Sequence, residues 1–289
     1  MTELEGVKGV LIPIGGNEDK GHEDYEDTNI DFIEEGILYH VVNQSGGTDA
    51  KFVVIPTASR IPDAVGKSYE EAFDRLGCNN HETLNITTRE QAEDPLFLEK
   101  IKSADCVLFS GGNQSRITEI IGGTSMHQLL SDKFLNEHFV IAGTSAGAMA
   151  MSEEMIAGGS NTESLIKGAA IMKKGLSFIS KLIIDTHFVR RGRYGRLAEA
   201  LANFPQLIGV GLAENTGLII KNCNEFEVIG SGMVILFDAS QLTHNNHKIL
   251  KEGTPMSMSN LITHLLSNGD KFTLDNRSIE VLPIEASFV

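Results

Sequence analysis

The sequence predicts an α/β fold: a three-layer α/β/α sandwich around a mainly parallel central sheet, with antiparallel additions toward its C-terminal end. Two observations carry this. Short apolar runs of strand length recur and close on Gly, Pro or Ser, and amphipathic stretches lie between them. Val10-Leu11-Ile12-Pro13-Ile14 runs into Gly15-Gly16, and Phe52-Val53-Val54-Ile55 into Pro56-Thr57-Ala58-Ser59. Cys106-Val107-Leu108-Phe109 runs into Ser110-Gly111-Gly112, and Phe139-Val140-Ile141-Ala142 into Gly143. Runs without polar alternation suit strands covered on both faces. Helix-like segments fill the gaps at Tyr69 to Leu76, Asp94 to Ile101 and Ile117 to Leu135. Strand and helix in alternation mean crossover connections and parallel pairing. From about Leu182 the connections shorten. Leu218-Ile219-Ile220 and Phe226-Glu227-Val228-Ile229 read as paired neighbours, followed by a strand from Met233 to Phe237.

No Pro- or Ser-rich linker, repeat or low-complexity run divides the 289 residues, which are read as one catalytic domain, 1–289. Hydrophobic residues make up 41% and charged residues 22%, the balance of a globular chain. No apolar run reaches the ~20 residues needed to span a bilayer, so no membrane partner is expected. The start, Met1-Thr2-Glu3-Leu4-Glu5, is acidic, and the three cysteines show no metal or redox spacing. Together these predict a cytoplasmic, reduced protein. A formal charge of −15 argues against nucleic acid, whose binding requires Lys and Arg to neutralise phosphates. Gly15-Gly16-Asn17-Glu18-Asp19-Lys20 lacks the ending of a phosphate-binding loop, and no cofactor or metal is expected.

Ligands in open parallel sheets gather at the carboxyl ends of the strands. Four such ends carry small or polar residues: Gly15-Gly16-Asn17, Thr57-Ala58-Ser59, Gly111-Gly112-Asn113-Gln114 and Gly143-Thr144-Ser145. Gly143-Thr144-Ser145-Ala146-Gly147 fits a nucleophile elbow, between a strand and a helix expected from Ala146 to Met155. The following helix would aim N–H groups at a developing oxyanion. A serine needs a base. Among nine histidines, His187 closes the strand-like run Leu182-Ile183-Ile184-Asp185-Thr186. Asp185 and Glu163 stand about equal as the acid. The first shares a strand face with His187, and the second sits in a polar connection after the elbow.

The set Gly111-Gly112-Asn113-Gln114, Gly143-Thr144-Ser145-Ala146-Gly147-Ala148, Asp185-Thr186-His187-Phe188 and Arg190-Arg191-Gly192-Arg193-Tyr194-Gly195-Arg196 resembles the cyanophycinases. These are grouped with the aspartyl dipeptidases (peptidase E) on a fold similar to class I glutamine amidotransferases. The likeness spans roughly Gly9 to Ala239 in order. It implies a serine, histidine and glutamate triad, and spacing then selects Ser145, His187 and Glu163. It further implies an oxyanion hole from the N–H groups of Gly112 and Ala146, and a homodimer. The substrate implied is cyanophycin, a poly-aspartate carrying arginine on its β-carboxylates, cut from a chain end to β-Asp-Arg.

Under that resemblance Gln114, Asp185 and Thr186 would contact substrate, and Arg191, Arg193 and Arg196 would grip carboxylates through their forked donors. Two positions depart from the family: Thr186 stands where Gln is usual, and Asn113 where Asp is usual. A peptidase E-like hydrolase of α-Asp or isoaspartyl dipeptides is the alternative activity. A non-catalytic ligand-binding homologue is the alternative class.

Overall fold

The computed structural model describes residues 6–21, 31–159 and 165–282. In its first half, β1 (Val10–Ile14), β2 (Phe52–Ile55), β3 (His81–Thr83), β4 (Cys106–Phe109) and β5 (Val140–Thr144) alternate with helices. These are α1 (Ile37–Gln44), α2 (Pro62–Arg75), α3 (Pro95–Lys102), α4 (Gln114–Ile121) and α5 (Ser125–Asn136). The five strands pair in parallel in the order β3-β2-β4-β5-β1.

Within each strand alternate residues enter opposite cores. Leu11, Val53, Ile55, Val107, Phe109 and Ile141 pack with the apolar faces of α3, α4 and α5. Val10, Ile12, Phe52, Val54, Leu108 and Val140 pack with Ile37, Leu38 and Val41 of α1 and Tyr69 and Phe73 of α2. The two-residue side-chain period of a strand thus explains both the unbroken apolar runs and the three layers.

The stretch expected as one helix from Ile117 to Leu135 is two. Gly123 takes φ 72°, and the Thr124 side chain accepts the N–H of His127 to start α5. A left-handed glycine beside a capping threonine ends one helix and opens the next.

The second half runs from α6 (Ala146–Met149) through the hairpin β6 (Glu154–Gly159) and β7 (Ala170–Lys174) to β8 (Leu182–Asp185) and α7 (Tyr194–Asn203). Then come β9 (Ile208–Leu212), β10 (Thr216–Lys221), β11 (Glu225–Gly230), β12 (Val234–Asp238), β13 (Ile262–Leu266), β14 (Lys271–Thr273) and β15 (Ser278–Glu280). β10 lies antiparallel on β1, and β11, β14 and β15 extend that edge to nine strands. β8, β9, β12 and β13 form a separate four-stranded sheet. The expected strand at 233–237 therefore exists but leaves its sequence neighbours. After the turn at Gly230 (φ 97°), Gly232 sits where a Cβ would lie 2.3 Å from Thr216 Oγ1. The chain turns back, and β12 pairs with β9 from Val234 opposite Leu212.

Phe188, fully buried after β8, packs on Tyr194 and Phe237 and lies where a Cβ on Gly211 would meet its ring at 2.4 Å. Phe188→Ala is expected to cost about 3–5 kcal/mol of stability, since a rigid core keeps most of the void. Urea unfolding monitored by circular dichroism measures it.

Candidate active site

Ser145 follows β5 in a strained conformation, φ 50° and ψ −106°. Its N–H donates to the Ile14 carbonyl at 2.8 Å, which ties the bend to β1. The flanking glycines are demanded by contact. A Cβ on Gly143 would lie 2.6 Å from the Gly147 carbonyl carbon, and one on Gly147 would lie 2.3 Å from the Phe109 oxygen. A bend this strained costs on the order of 1–3 kcal/mol and persists because neighbours overdetermine it. α6 is shorter than the helix expected to Met155. The Ala150 carbonyl accepts Leu176 N–H at 2.7 Å and the Met151 carbonyl accepts Ile179 N–H, so the backbone turns away after one turn.

His187 Nε2 lies 3.0 Å from Ser145 Oγ. His187 has φ 47° and donates its backbone N–H to the Gly15 carbonyl at 2.8 Å, so β1 anchors serine and histidine alike. Gly16 makes room for the ring: a Cβ there would lie 2.4 Å from Cε1. On the far side of the ring Nδ1 meets Glu214 Oε1 at 2.7 Å. A carboxylate at Nδ1 fixes the proton there and leaves Nε2 as the acceptor. Arg190 donates to Glu214 Oε2 at 2.7 Å.

Glu214 comes from the crossing between the two sheets. Ala213 N–H donates to the carbonyl of Met233, just before β12 of one sheet, and Asn215 N–H donates to that of Gly16 beside the other. Glu163 lies outside the described residues. Among the described residues, the carboxylate that faces the ring is Glu214. A sequence signal for it existed: Ile208–Leu212 is an apolar strand closed by Ala213-Glu214-Asn215, a carboxylate at a strand end.

Burial lowers the His187 pKa, with Arg191 and Arg193 assisting and Glu214 opposing; the net shift is below the ordinary 6.5. Burial raises Glu214, but hydrogen bonds from Arg190 and His187 prevail and hold it below the usual carboxylate range. Because the base stays neutral to lower pH than a free imidazole, the acid limb of kcat/KM is expected to be displaced to lower pH than an unperturbed histidine would give. A rate profile against pH measures this.

A cleft of about 500 Å³ opens over the pair, lined among others by Lys20, Tyr69, Gly112, Ser145, His187 and Arg191. In its wall Glu18 accepts from Tyr69 and, at 2.5 Å, from Thr144, with Lys20 at 3.1 Å. Burial pushes Glu18 up, yet Lys20 and the two hydroxyls together hold it below its ordinary value. Among the described residues no protein acceptor meets the N–H of Gly112 or of Ala146. Gly112 (φ 141°) admits no side chain, since a Cβ would lie 2.1 Å from the Ala58 oxygen.

Of the residues expected to hold substrate, Arg191 lines the cleft. Asp185, Thr186, Arg193 and Arg196 do not line it, and all four are buried. Asp185 is fully enclosed and paired with Arg193 and Arg196. Thr186 Oγ1 contacts Met149 Sδ at 3.4 Å. Gln114 donates to the Ile156 carbonyl at 2.7 Å. Asn113 caps α4, accepting Ser115 N–H at 2.9 Å. No group of His, Cys, Asp and Glu fit to hold a metal occurs among the described residues. No described helix is long and apolar enough to cross a membrane.

Comparison with known proteins gives the family. The peptidase from an acI-B1 Actinobacterium is similar over 92% of this chain and 97% of its own, with TM-score 0.64 at 21% identity, a likeness of fold. The cyanophycinase of Trichormus variabilis is 32% identical over 279 residues, 96% of this chain and 90% of that protein. That of Geminocystis herdmanii is 32% identical over 266 residues, 92% and 94% of the two chains. Residues 30–228 match the family described as Peptidase family S51. With that coverage and identity the chain belongs to peptidase family S51 and is a serine peptidase.

Proposed function

We propose that this protein is a cyanophycinase, in which Ser145, His187 and Glu214 perform acyl transfer. The observation that carries the reading is the strained serine at 3.0 Å from an imidazole whose other nitrogen meets a carboxylate. His187 Nε2 takes the Oγ proton as Oγ bonds to the scissile carbonyl carbon. Glu214 steadies the imidazolium, and the N–H groups of Gly112 and Ala146 receive the oxyanion. Nε2 then protonates the leaving amine as the C–N bond breaks. Water, deprotonated by the same imidazole, releases the acyl group as a carboxylate and restores Ser145.

The substrate assignment rests on the relatives called cyanophycinases, which match over most of both chains. The cleft supports it chemically. Arg191 lines the same cleft as Ser145, and its guanidinium is suited to a carboxylate of an aspartyl-arginine unit. Arg191→Ala is expected to raise KM for cyanophycin by about tenfold and to change kcat little, as for one lost charge-assisted hydrogen bond. Steady-state kinetics on soluble polymer measure this.

The test is incubation with purified cyanophycin and mass analysis of the soluble products. β-Asp-Arg is expected. No release, together with turnover of α-Asp dipeptides, would replace the substrate by that of a peptidase E-like enzyme. Failure of a fluorophosphonate to label Ser145 in folded protein would remove the catalytic reading altogether.

A further inference from the structure

We propose that Asp185, Arg193 and Arg196 form a buried positioning cluster that sets the imidazole of His187, and do not contact substrate. The inference rests on Ser145 and His187 being the reacting pair. Asp185 ends β8, two residues before His187, with no exposed surface. Its Oδ2 accepts from Arg196 Nε at 2.6 Å. Its Oδ1 accepts from Arg196 Nη2 at 2.5 Å, from Arg193 Nη1 at 3.1 Å and from Thr186 N–H at 2.8 Å. Both carboxylate oxygens are in use, and Asp185 has no exposed surface for a substrate guanidinium to reach.

The cluster grips the peptide that leads into the base. Arg193 Nη1 also donates to the Thr186 carbonyl at 2.7 Å. The plane of the peptide between Thr186 and His187 is thereby held from its carbonyl side, just where His187 turns to φ 47°. The turn closes behind it: Arg191 N–H donates to the His187 carbonyl and Arg193 N–H to that of Phe188, both at 3.0 Å. Arg196 stands in the first turn of α7, whose Leu197 and Leu201 are buried in the core. Strand end, histidine peptide and helix start are thus locked to one carboxylate.

Stability does not account for this arrangement. Two charges withdrawn from water seldom gain more than apolar residues of the same volume would. Arg193 Nε is moreover buried with no partner among the described residues, a cost that a cluster selected for stability would avoid. What such a cluster supplies is a single geometry.

The charged groups that face His187 are Glu214 on Nδ1, with Arg190 behind it, and the guanidiniums of Arg191 and Arg193. Arg193→Gln takes away one of the two cations and the hold on the Thr186 carbonyl, while the fork between Asp185 and Arg196 remains. The measurements are kcat and KM on cyanophycin and the pH dependence of Ser145 labelling by a fluorophosphonate, a probe with no arginine to bind. In Arg193→Gln, kcat and labelling rate are expected to fall together by about 10²-fold, as for a reacting group displaced by around 1 Å. KM is expected to stay within about threefold of the parent, as for a change that leaves substrate binding alone. The labelling midpoint is expected to move to higher pH, because a cation opposing the imidazolium is gone. Arg193→Lys, which keeps the charge, is expected to return the midpoint and recover part of the rate.

A rise in KM with kcat and labelling untouched would overturn the proposal in favour of a substrate grip, and so would no change in any of the three. If Arg193→Gln does not fold, Arg193→Lys carries the same comparison: a parental labelling rate in that variant refutes the positioning role. Absence of Ser145 labelling in the parent protein would instead refute the underlying catalytic reading.

Discussion

Ser145→Ala is expected to lower kcat on cyanophycin by on the order of 10⁶-fold, the scale at which loss of a nucleophile leaves only binding and oxyanion contacts. The reason is specific to the geometry. His187 Nε2 sits 3.0 Å from Oγ with its other nitrogen committed to Glu214, and no second hydroxyl at that distance is recorded among the described residues. Alanine fits the bend in volume and leaves the Ile14 hydrogen bond, which is made by the backbone. The melting temperature should therefore change little while turnover disappears. Comparable rates for the two proteins in a mass-resolved product assay would show that Ser145 is not the nucleophile.

Glu214→Gln is expected to lower kcat by about 10⁴-fold with KM little changed, because an amide at Nδ1 no longer favours the productive tautomer or steadies the imidazolium. The burial that lowers the His187 pKa is now opposed less, so the acid limb of the profile should move to still lower pH. The change also removes the charge that Arg190 meets at Glu214 Oε2. Glu163→Gln is the informative comparison, since family spacing points to that residue and the geometry points to Glu214. Steady-state kinetics of the pair decide between them. A greater loss of kcat in Glu163→Gln than in Glu214→Gln would return the acid to Glu163.

Much of the frame was legible because its causes are local. Val10–Ile14, Phe52–Ile55 and Cys106–Phe109 are strands at the expected residues, and the elbow follows another, Val140–Thr144. A run of branched apolar residues closed by Gly or Pro needs no distant partner to be recognised. Gly122-Gly123 inside the expected 117–135 helix was an equally local signal, outweighed by the apolar spacing on either side. The length of α6 was not legible. It is set by the segment Leu176 to Ile179, which captures the carbonyls that a longer helix would have used. Nor was the second sheet, since β12 could continue from β11 or return to β9, and the close packing of Gly232 on Thr216 directs the return.

The pattern of residues along the chain was enough to place a serine on a sharp bend and a histidine at a strand end, because each is defined by its own few neighbours. That Glu214 faces the imidazole is visible only in three dimensions. Glu214 is carried there by the crossing between two sheets, a path no spacing records. The same holds for charge. Asp185, Arg193 and Arg196 read as a ligand grip in one dimension, but folding encloses them and pairs both arginines with the one carboxylate. Arg191, in the same run, is left facing the cleft. Burial is a property of the packed chain, and it alone separates a charge that binds substrate from one that holds the protein in shape.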